Sequence, residues 1–383
     1  MDTAFPYSQY VTGKNFVGRR ADVTLLGNLL SQGEHVLLAE PPKTGKTSLV
    51  QQTLFSMRMT GKPFIVGQMN VLNLRDRDGF LLRLGATLFK MVGSSPEDFA
   101  ALAGKYLEGT HLVHDPNAYS ERGEVLSASW ELDGEDMAAV FRLPFALARD
   151  RGERLILILD EFQCVRLMDD GGDSLLRALD TSLREQTENH LFSYVFAGGG
   201  VNALQEIFEG GARFHRQVER VRLSAVDERE MADHVHKGFL SGGKVVDKDL
   251  LLGACRLFRG QLWYINHFAS ICDSMTRGYM MEPVLVDALN CLVALHEPRF
   301  NATMEGLTTH QVNLLKAVAE GVTRLSSAEV IRHYALNSSA NVKRVKDALM
   351  KKEILLFDES DNPAIIDPLF EYWVRKFYFE MKD

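Results

Sequence analysis

Ala39-Glu40-Pro41-Pro42-Lys43-Thr44-Gly45-Lys46-Thr47-Ser48 is the stretch on which the reading of this chain turns. It follows a short apolar run, Val36-Leu37-Leu38-Ala39, and from Thr47 onward (TSLVQQTLFSMRM) the residues take helical spacing. A loop between a strand and a helix suits an anion, because the first N–H groups of a helix lack intrahelical partners and point outward at its positive end. Gly45 lets the backbone approach closely, Lys46 can reach β- and γ-phosphates, and the Thr47 hydroxyl can hold Mg²⁺. The cradling amides belong to Thr44 through Ser48, so Pro41 and Pro42 need not harm the loop. Glu40 is the departure, standing where GxxxxGK[ST] begins with glycine. Its carboxylate is unfavourable beside polyphosphate unless it turns away or pairs, with Lys43 one candidate.

Outward from the loop, Pro63–Val66 reads as a second strand and Arg77–Val92 as a second helix. Leu155-Ile156-Leu157-Ile158-Leu159 is apolar at every position, which fits a central parallel strand buried on both faces. Leu191–Ala197 and Val218–Leu223 complete about five strands, and the alternation with helices predicts an α/β core with a parallel sheet. Asp160 and Glu161 follow the apolar run, 114 residues after Lys46, at the carboxyl end of their strand. Asp160 suits a water-mediated Mg²⁺ ligand, and Glu161 a group that polarises an attacking water. The plainer reading is a strand end capped by acidic residues. Residues 93–152 exceed a simple crossover; helices over 96–107 and 135–149 flank a polar loop, read as an insertion.

After Leu223 the strand signal disappears for about 130 residues. Helical patterns begin near Asp227, Asp247, Gln261 and Glu282. Helices over 309–320, 327–334 and 338–352 follow, then short strands 354–357 and 364–366 around the turn DESDN. A last helix opens at Pro368 with Asp367 as N-cap. That is winged-helix order. The expected organisation is an extension over 1–15, a nucleotide-binding domain over 16–224, a helical lid over 225–300 and a winged helix over 301–383.

Taken together, these pieces resemble a P-loop ATPase of the AAA-related STAND clade, in particular the prokaryotic and archaeal ATPase family. Phe16-Val17-Gly18-Arg19-Arg20-Ala21-Asp22 resembles its hhGRxxE motif, Asp160-Glu161-Phe162-Gln163 its DE-aromatic-Gln motif, and Asp367-Pro368-Leu369-Phe370-Glu371-Tyr372-Trp373 its closing DPxFxxW. The resemblance implies an AAA-like P-loop NTPase core with a helical lid and a winged helix, with ATP/ADP and Mg as cofactors. It implies that Gly18 and Arg19 lie beside adenine and ribose. Gly260-Gln261-Leu262-Trp263 is similar to the clade's nucleotide-contacting GxP, with Leu262 in place of Pro, which makes Gly260 a candidate contact. Relatives carry a Ser or Thr sensor where this chain has Gly198-Gly199-Gly200; Asn202 is the nearest polar substitute. An arginine stabilising transition-state charge is expected at Arg216, with Arg213 second, the alternative being surface arginines paired with acidic neighbours.

Lys and Arg number 43 against 51 Asp and Glu, a net charge of −8 that argues against a chain coating nucleic acid or membrane through a broadly basic surface. Four cysteines without a CxxC pair fit a reduced, cytoplasmic setting, and no leader or membrane span is apparent. The third helix of the winged segment offers Lys343, Arg344 and Lys346 to DNA, beside an inward stripe of Val342, Val345 and Leu349. Yet from Gly306 onward eleven basic residues meet eleven acidic ones, and the wing turn carries Asp358, Glu359 and Asp361. A protein-docking face is therefore an equal alternative. The functional expectation is an ATP-binding switch with slow Mg²⁺-dependent hydrolysis coupled to winged-helix movement. The alternatives are a non-hydrolysing, nucleotide-gated DNA-binding regulator and an initiator-like origin binder. His111, His114 and Asp115 read as loop residues, Cys164 as a buried structural thiol, and Trp373, Phe377 and Tyr378 as interface filling.

Overall fold

The computed structural model describes residues 4–358 and 360–381, and its main sheet follows the apolar runs. One compact unit comprises Arg20–Glu40 and Gln52–Leu223; the other comprises the segment ending at Arg19, Pro41–Gln51, and the chain from Ser224 onward.

In the first unit the order is α1 (Arg20–Gln32), β1 (His35–Ala39), α2 (Lys46–Met59, which starts in the other unit), β2 (Phe64–Asn70), α3 (Arg77–Val92) and α4 (Pro96–Tyr106). Then come β3 (Leu112–Val113), α5 (Pro116–Arg122), β4 (Ser127–Ala128), α6 (Gly134–Arg151), β5 (Arg154–Asp160), α7 (Asp173–Glu185), β6 (Phe192–Gly198), α8 (Val201–Phe208) and β7 (Val218–Arg220). Five strands form a parallel sheet in the order β2-β5-β6-β1-β7. Residues 155–159 of β5 are all buried, as a strand covered on both faces requires. Register puts Leu38 opposite Ala197, Ala39 opposite Gly198 and Leu159 opposite Phe196. The ends of β1, β6 and β5 are thus level along one edge.

Two expectations are corrected here. The polar loop inside 93–152 holds α5 and an antiparallel β3–β4 ribbon, because Leu112, Val125, Leu126 and Leu132 are core residues too widely spaced to give a periodic signal. Asp136 fastens this stretch: it closes a capping box with Asp133 at the start of α6 and accepts from the His111 backbone N–H at 2.7 Å. The last strand stops at Arg220 instead of Leu223, since the Leu223 N–H turns to Glu40 Oε1 at 3.1 Å.

The helical lid comprises α9 (Glu228–Ser241), β8 (Val245–Val246), α10 (Lys248–Leu257), α11 (Leu262–Met275), β9 (Tyr279–Met280) and α12 (Glu282–Glu305). Asp227 and Asp247 cap α9 and α10 through their carboxylates. The parallel pair β8–β9 corrects the expectation of a strand-free segment; two residues per strand are too few to carry a pattern. Helix α12 continues through Pro298 past the expected boundary at 300. The expected extension is also built in: Phe5 is buried against Phe239, Tyr7 stacks on His267, and Asn266 donates to the Pro6 carbonyl at 3.0 Å.

The winged helix follows, with α13 (Thr309–Ala319), α14 (Ala328–His333), α15 (Ser339–Lys351), the antiparallel β10 (Leu355–Phe357) and β11 (Pro363–Ile365), and α16 (Pro368–Trp373). Val342, Val345 and Leu349 are buried. Lys346 does not look outward as expected: its ammonium lies 3.7 Å from the Phe357 ring centroid and pairs with Asp361 of the wing turn, while Lys343 and Arg344 are exposed. Glu359 lies outside the described residues. Trp373 is buried, whereas Phe377 and Tyr378 are part-exposed, the Tyr378 ring lying 5.7 Å from that of Trp373 and the Phe377 ring 6.2 Å from that of Tyr372. No helix among those residues is long and apolar enough to cross a membrane.

Leu157 is fully buried in the central strand. Leu157→Ala should lower stability to chemical denaturation by about 2–5 kcal/mol, since a rigid sheet cannot collapse onto the cavity.

Candidate functional site

The edge where β1, β6 and β5 end carries Ala39-Glu40, Gly198 and Asp160-Glu161. Asp160 closes β5, half-buried; its carbonyl accepts from Val71 N–H at 2.9 Å and its Oδ1 from Glu161 N–H at 3.0 Å. Glu161 stands in the left-handed region (φ 52°, ψ 40°), a conformation non-glycine residues hold only where their surroundings impose it. The Glu40 carboxylate accepts from Leu223 N–H, so it is turned along the sheet edge toward the end of the β7 segment. Cys164 is buried, and burial together with the Glu161 charge pushes its thiol pKa up, as suits a structural cysteine.

The loop from Pro41 lies in the second unit with residues 16–19 of the hhGRxxE-like segment and with the GxP-like turn. Gly45 has φ +97°, and a Cβ there would stand 3.1 Å from Arg19 Nη1. Arg19 donates from Nη1 to the Thr44 carbonyl at 2.5 Å and from Nε to the Ser224 carbonyl at 2.9 Å, which joins the loop to the start of the lid. Gly18 makes this possible: at φ +65°, a Cβ would meet Val226 Cγ1 at 2.8 Å. Lys46 Nζ donates to the Pro41 carbonyl at 2.9 Å, and the Thr44 hydroxyl to the same carbonyl at 2.8 Å. Thr47, in the first turn of α2, is exposed. The Ser48 hydroxyl accepts from Val11 N–H at 3.1 Å, so its side chain serves the N-terminal segment.

Lys43, considered in the sequence only as a partner for Glu40, has a larger role. Held at φ +68°, it aims its ammonium at the start of α11, 3.9 Å from the Trp263 ring centroid, 4.5 Å from that of Tyr264 and 3.3 Å from the Tyr264 hydroxyl. That hydroxyl donates to the Asp367 carboxylate at 2.8 Å and accepts from Arg299 Nη2 at 3.2 Å; Arg299 also bonds Asp367 at 2.8 Å. Asp367 caps α16 through the Leu369 and Phe370 amides. A single buried tyrosine oxygen therefore joins the loop, the last helix of the lid and the capping residue of the winged helix. Burial, then the Arg299 charge, lowers the Lys43 pKa to about 8, with Asp367 opposing. Burial and nearby Lys43 also lower His267 and His296, the latter to about 4, so both imidazoles are neutral at pH 7.

Gly260 falls in the turn ahead of α11 with φ +72°, and its N–H closes on the Cys255 carbonyl at 3.1 Å. Arg259 beside it donates to the Ile365 carbonyl at 2.8 Å and pairs with Glu371 of α16. The loop residues, Gly18-Arg19 and Gly260-Trp263 thus belong to one packed unit; Asp160 and Glu161 belong to the sheet edge. Arg213 pairs with Asp173, whereas Arg216 is exposed at φ +60° before β7. The sequence reading missed Tyr264 and Arg299, and it quoted Gln163 within its motif without giving it a role. Asp367 was seen only as a cap, although a buried tyrosine directly after the GxP-like turn is a signal that could have found the network.

Residues 298–376 match a family described as a probable winged helix domain. No curated protein matches the chain in sequence. A Walker-type ATPase of Pyrococcus abyssi is similar in structure over 97% of this chain and 100% of its own, at 16% identity and a TM-score of 0.67. The ORC2 protein of Aeropyrum pernix is similar in its ADP form over 99% and 98% of the two chains (14% identity, TM-score 0.55), and in its ADPNP-ADP complexes over 97% of each (13%, 0.51). At such identities these likenesses establish fold. The chain has a parallel-sheet α/β core of NTPase-like fold with a helical lid, followed by a C-terminal winged-helix domain.

Tyr264→Phe keeps the ring but strands the groups that shared its hydroxyl, and should cost about 1–3 kcal/mol in chemical denaturation. Lys43 has its own pH signature. Between about 8 and the ordinary 10.5 the unfolded chain binds more protons at this site than the folded one, so stability rises with pH across that window. Denaturation curves of Lys43→Met should lack this increment relative to wild type.

Proposed function

We propose that the chain is an ATP-binding molecular switch of the STAND type, with slow Mg²⁺-dependent hydrolysis coupled to movement of its winged helix. The observation that carries this reading is the tie from Lys43 through Tyr264 to Asp367, which makes the phosphate loop and the winged helix share one hydrogen-bonded centre. A polyphosphate on the loop would compete for Lys43 and for the Lys46 ammonium now on the Pro41 carbonyl. Ligand and winged helix would then be coupled through differential contacts, as any such shift requires. The P. abyssi relative is described as a Walker-type ATPase and the ORC2 structures as ADP and ADPNP-ADP forms, which supports ATP and ADP as ligands.

In this reading the amides of Thr44 to Ser48 cradle the phosphates, Lys46 reaches the β- and γ-groups, and Gly18, Arg19 and Gly260 border the base and ribose. Thr47 and Asp160 would be the residues to hold Mg²⁺, which would neutralise charge on the phosphates. Glu161 polarises a water whose oxygen bonds the γ-phosphorus as the bond to the β-phosphate oxygen breaks, the water's proton passing toward the carboxylate. Arg216 is the candidate for stabilising the charge that develops.

A second reading, a nucleotide-gated DNA-binding regulator, is favoured by the exposed Lys343 and Arg344 on α15. The occupation of Lys346 by Asp361 weakens it.

Lys46→Ala should abolish binding of a fluorescent ADP analogue and all phosphate release. Glu161→Gln should keep binding and lose at least tenfold in turnover; equal release in the three proteins refutes hydrolysis. In gel shifts on random duplex, retardation lost in Lys343→Glu/Arg344→Glu would support the DNA reading, and none at low salt would remove it.

A further inference from the structure

The run Gly198-Gly199-Gly200 falls where a polar sensor side chain was expected at the end of β6. The space is filled from the turn that follows the neighbouring strand. Gln163, three residues beyond the end of β5, lies against the run: a Cβ on Gly198 would overlap its Oε1 outright, and one on Gly200 would stand 2.7 Å from its Cγ. Neither glycine has a left-handed φ, so backbone conformation does not demand glycine at either position. What demands it is the room taken by the Gln163 side chain.

The other end of that amide is aimed at the acidic pair. Gln163 Nε2 donates to Glu161 Oε2 at 2.5 Å, across a turn that Glu161 enters in the left-handed conformation. Gln163 Oε1 is buried with no hydrogen-bond partner among the described residues. A buried amide oxygen left so is unusual and needs a compensating reason. Rotating the amide would put its oxygen against the Glu161 carboxylate, where two acceptors repel. The side chain is therefore fixed in the orientation that gives its N–H to Glu161.

We propose that Gln163 is a positioning residue for the Glu161 carboxylate, and that Gly198 and Gly200 are the space cleared for it. The inference rests on the reading of Glu161 as the group that polarises the attacking water. The amide occupies one carboxylate oxygen and fixes the group's plane, leaving Oε1 for the water. The polar side chain missing from β6 is thus supplied by the helical turn after β5, where it acts on the carboxylate.

The test uses the whole 383-residue chain and measures phosphate release, affinity for a fluorescent ADP analogue, and Tm. Gln163→Met keeps the volume and removes the N–H; kcat should fall ten- to hundredfold with affinity within twofold and Tm within a few degrees. Gly198→Ala should displace the glutamine and lower kcat to a similar extent. Adding Gly198→Ala to Gln163→Ala should cost no more than Gln163→Ala alone, because the obstruction is gone. Turnover of Gln163→Met at or above wild type overturns the positioning role, and a Gly198→Ala that turns over normally overturns the cleared-space account. Equal phosphate release by wild type and Glu161→Gln would instead bring down the hydrolysis reading, and this assignment with it.

Discussion

Parallel hydrogen bonding of β1 to β6 and of β6 to β5 is the constraint from which the rest follows. With Ala39 opposite Gly198 and Leu159 opposite Phe196, three strands end in step, and three chain reversals meet along one edge. A slip of one residue would turn every side chain of a strand to the other face, and because Leu155 to Leu159 are buried on both faces, such a slip would also disturb two packed layers. The edge gathers a phosphate-type loop's point of departure, an acidic pair and a glycine run. Its chemistry comes from strand register, before any side-chain contact is considered.

The second organising feature is a polar centre inside the other unit. The Tyr264 hydroxyl is surrounded by a cation from the loop, a guanidinium from α12 and a carboxylate that already caps α16. Such a centre holds together only when every member is satisfied, since removing one leaves the others buried and unpaired. Lys43 is the member most open to competition. Its ammonium is partly desolvated, rests on two aromatic faces and belongs to the loop that an anion would approach. Through the Tyr264 hydroxyl the loop and the carboxylate that caps α16 share one hydrogen-bonded group.

Backbone conformations repeat the point. Arg19, Lys43, Glu161 and Arg259 are all non-glycine residues with positive φ, and each belongs to a motif singled out for chemistry or immediately adjoins one. Conformations of this kind cost roughly 1 kcal/mol or more apiece and persist where surrounding contacts over-determine them. Here those contacts are visible: Arg19 on the Thr44 and Ser224 carbonyls, Lys43 on Tyr264, the Glu161 carboxylate on Gln163, and Arg259 on the Ile365 carbonyl and Glu371.

Much of this was legible in the linear chain. The unbroken apolar run of β5, the strand-loop-helix order around Lys46, the helix starts near Asp227 and Asp247, the Asp367 cap of α16, and the helix-helix-helix-hairpin order of the carboxyl end all act through neighbours in sequence, so local pattern determines them. The β3–β4 ribbon, the packing of Phe5 and Tyr7, and the diversion of Lys346 to Asp361 were not legible, because each depends on partners far away in sequence or on a single buried side chain without a period. The same holds for Tyr264 joining residues 43, 299 and 367, and for Gln163 filling the space above Gly198. Sequence supplied the glycines, the tyrosine and the glutamine as isolated letters; only the close packing of folded elements decided which of them meet, since steric exclusion and hydrogen-bond satisfaction are properties of distances in space.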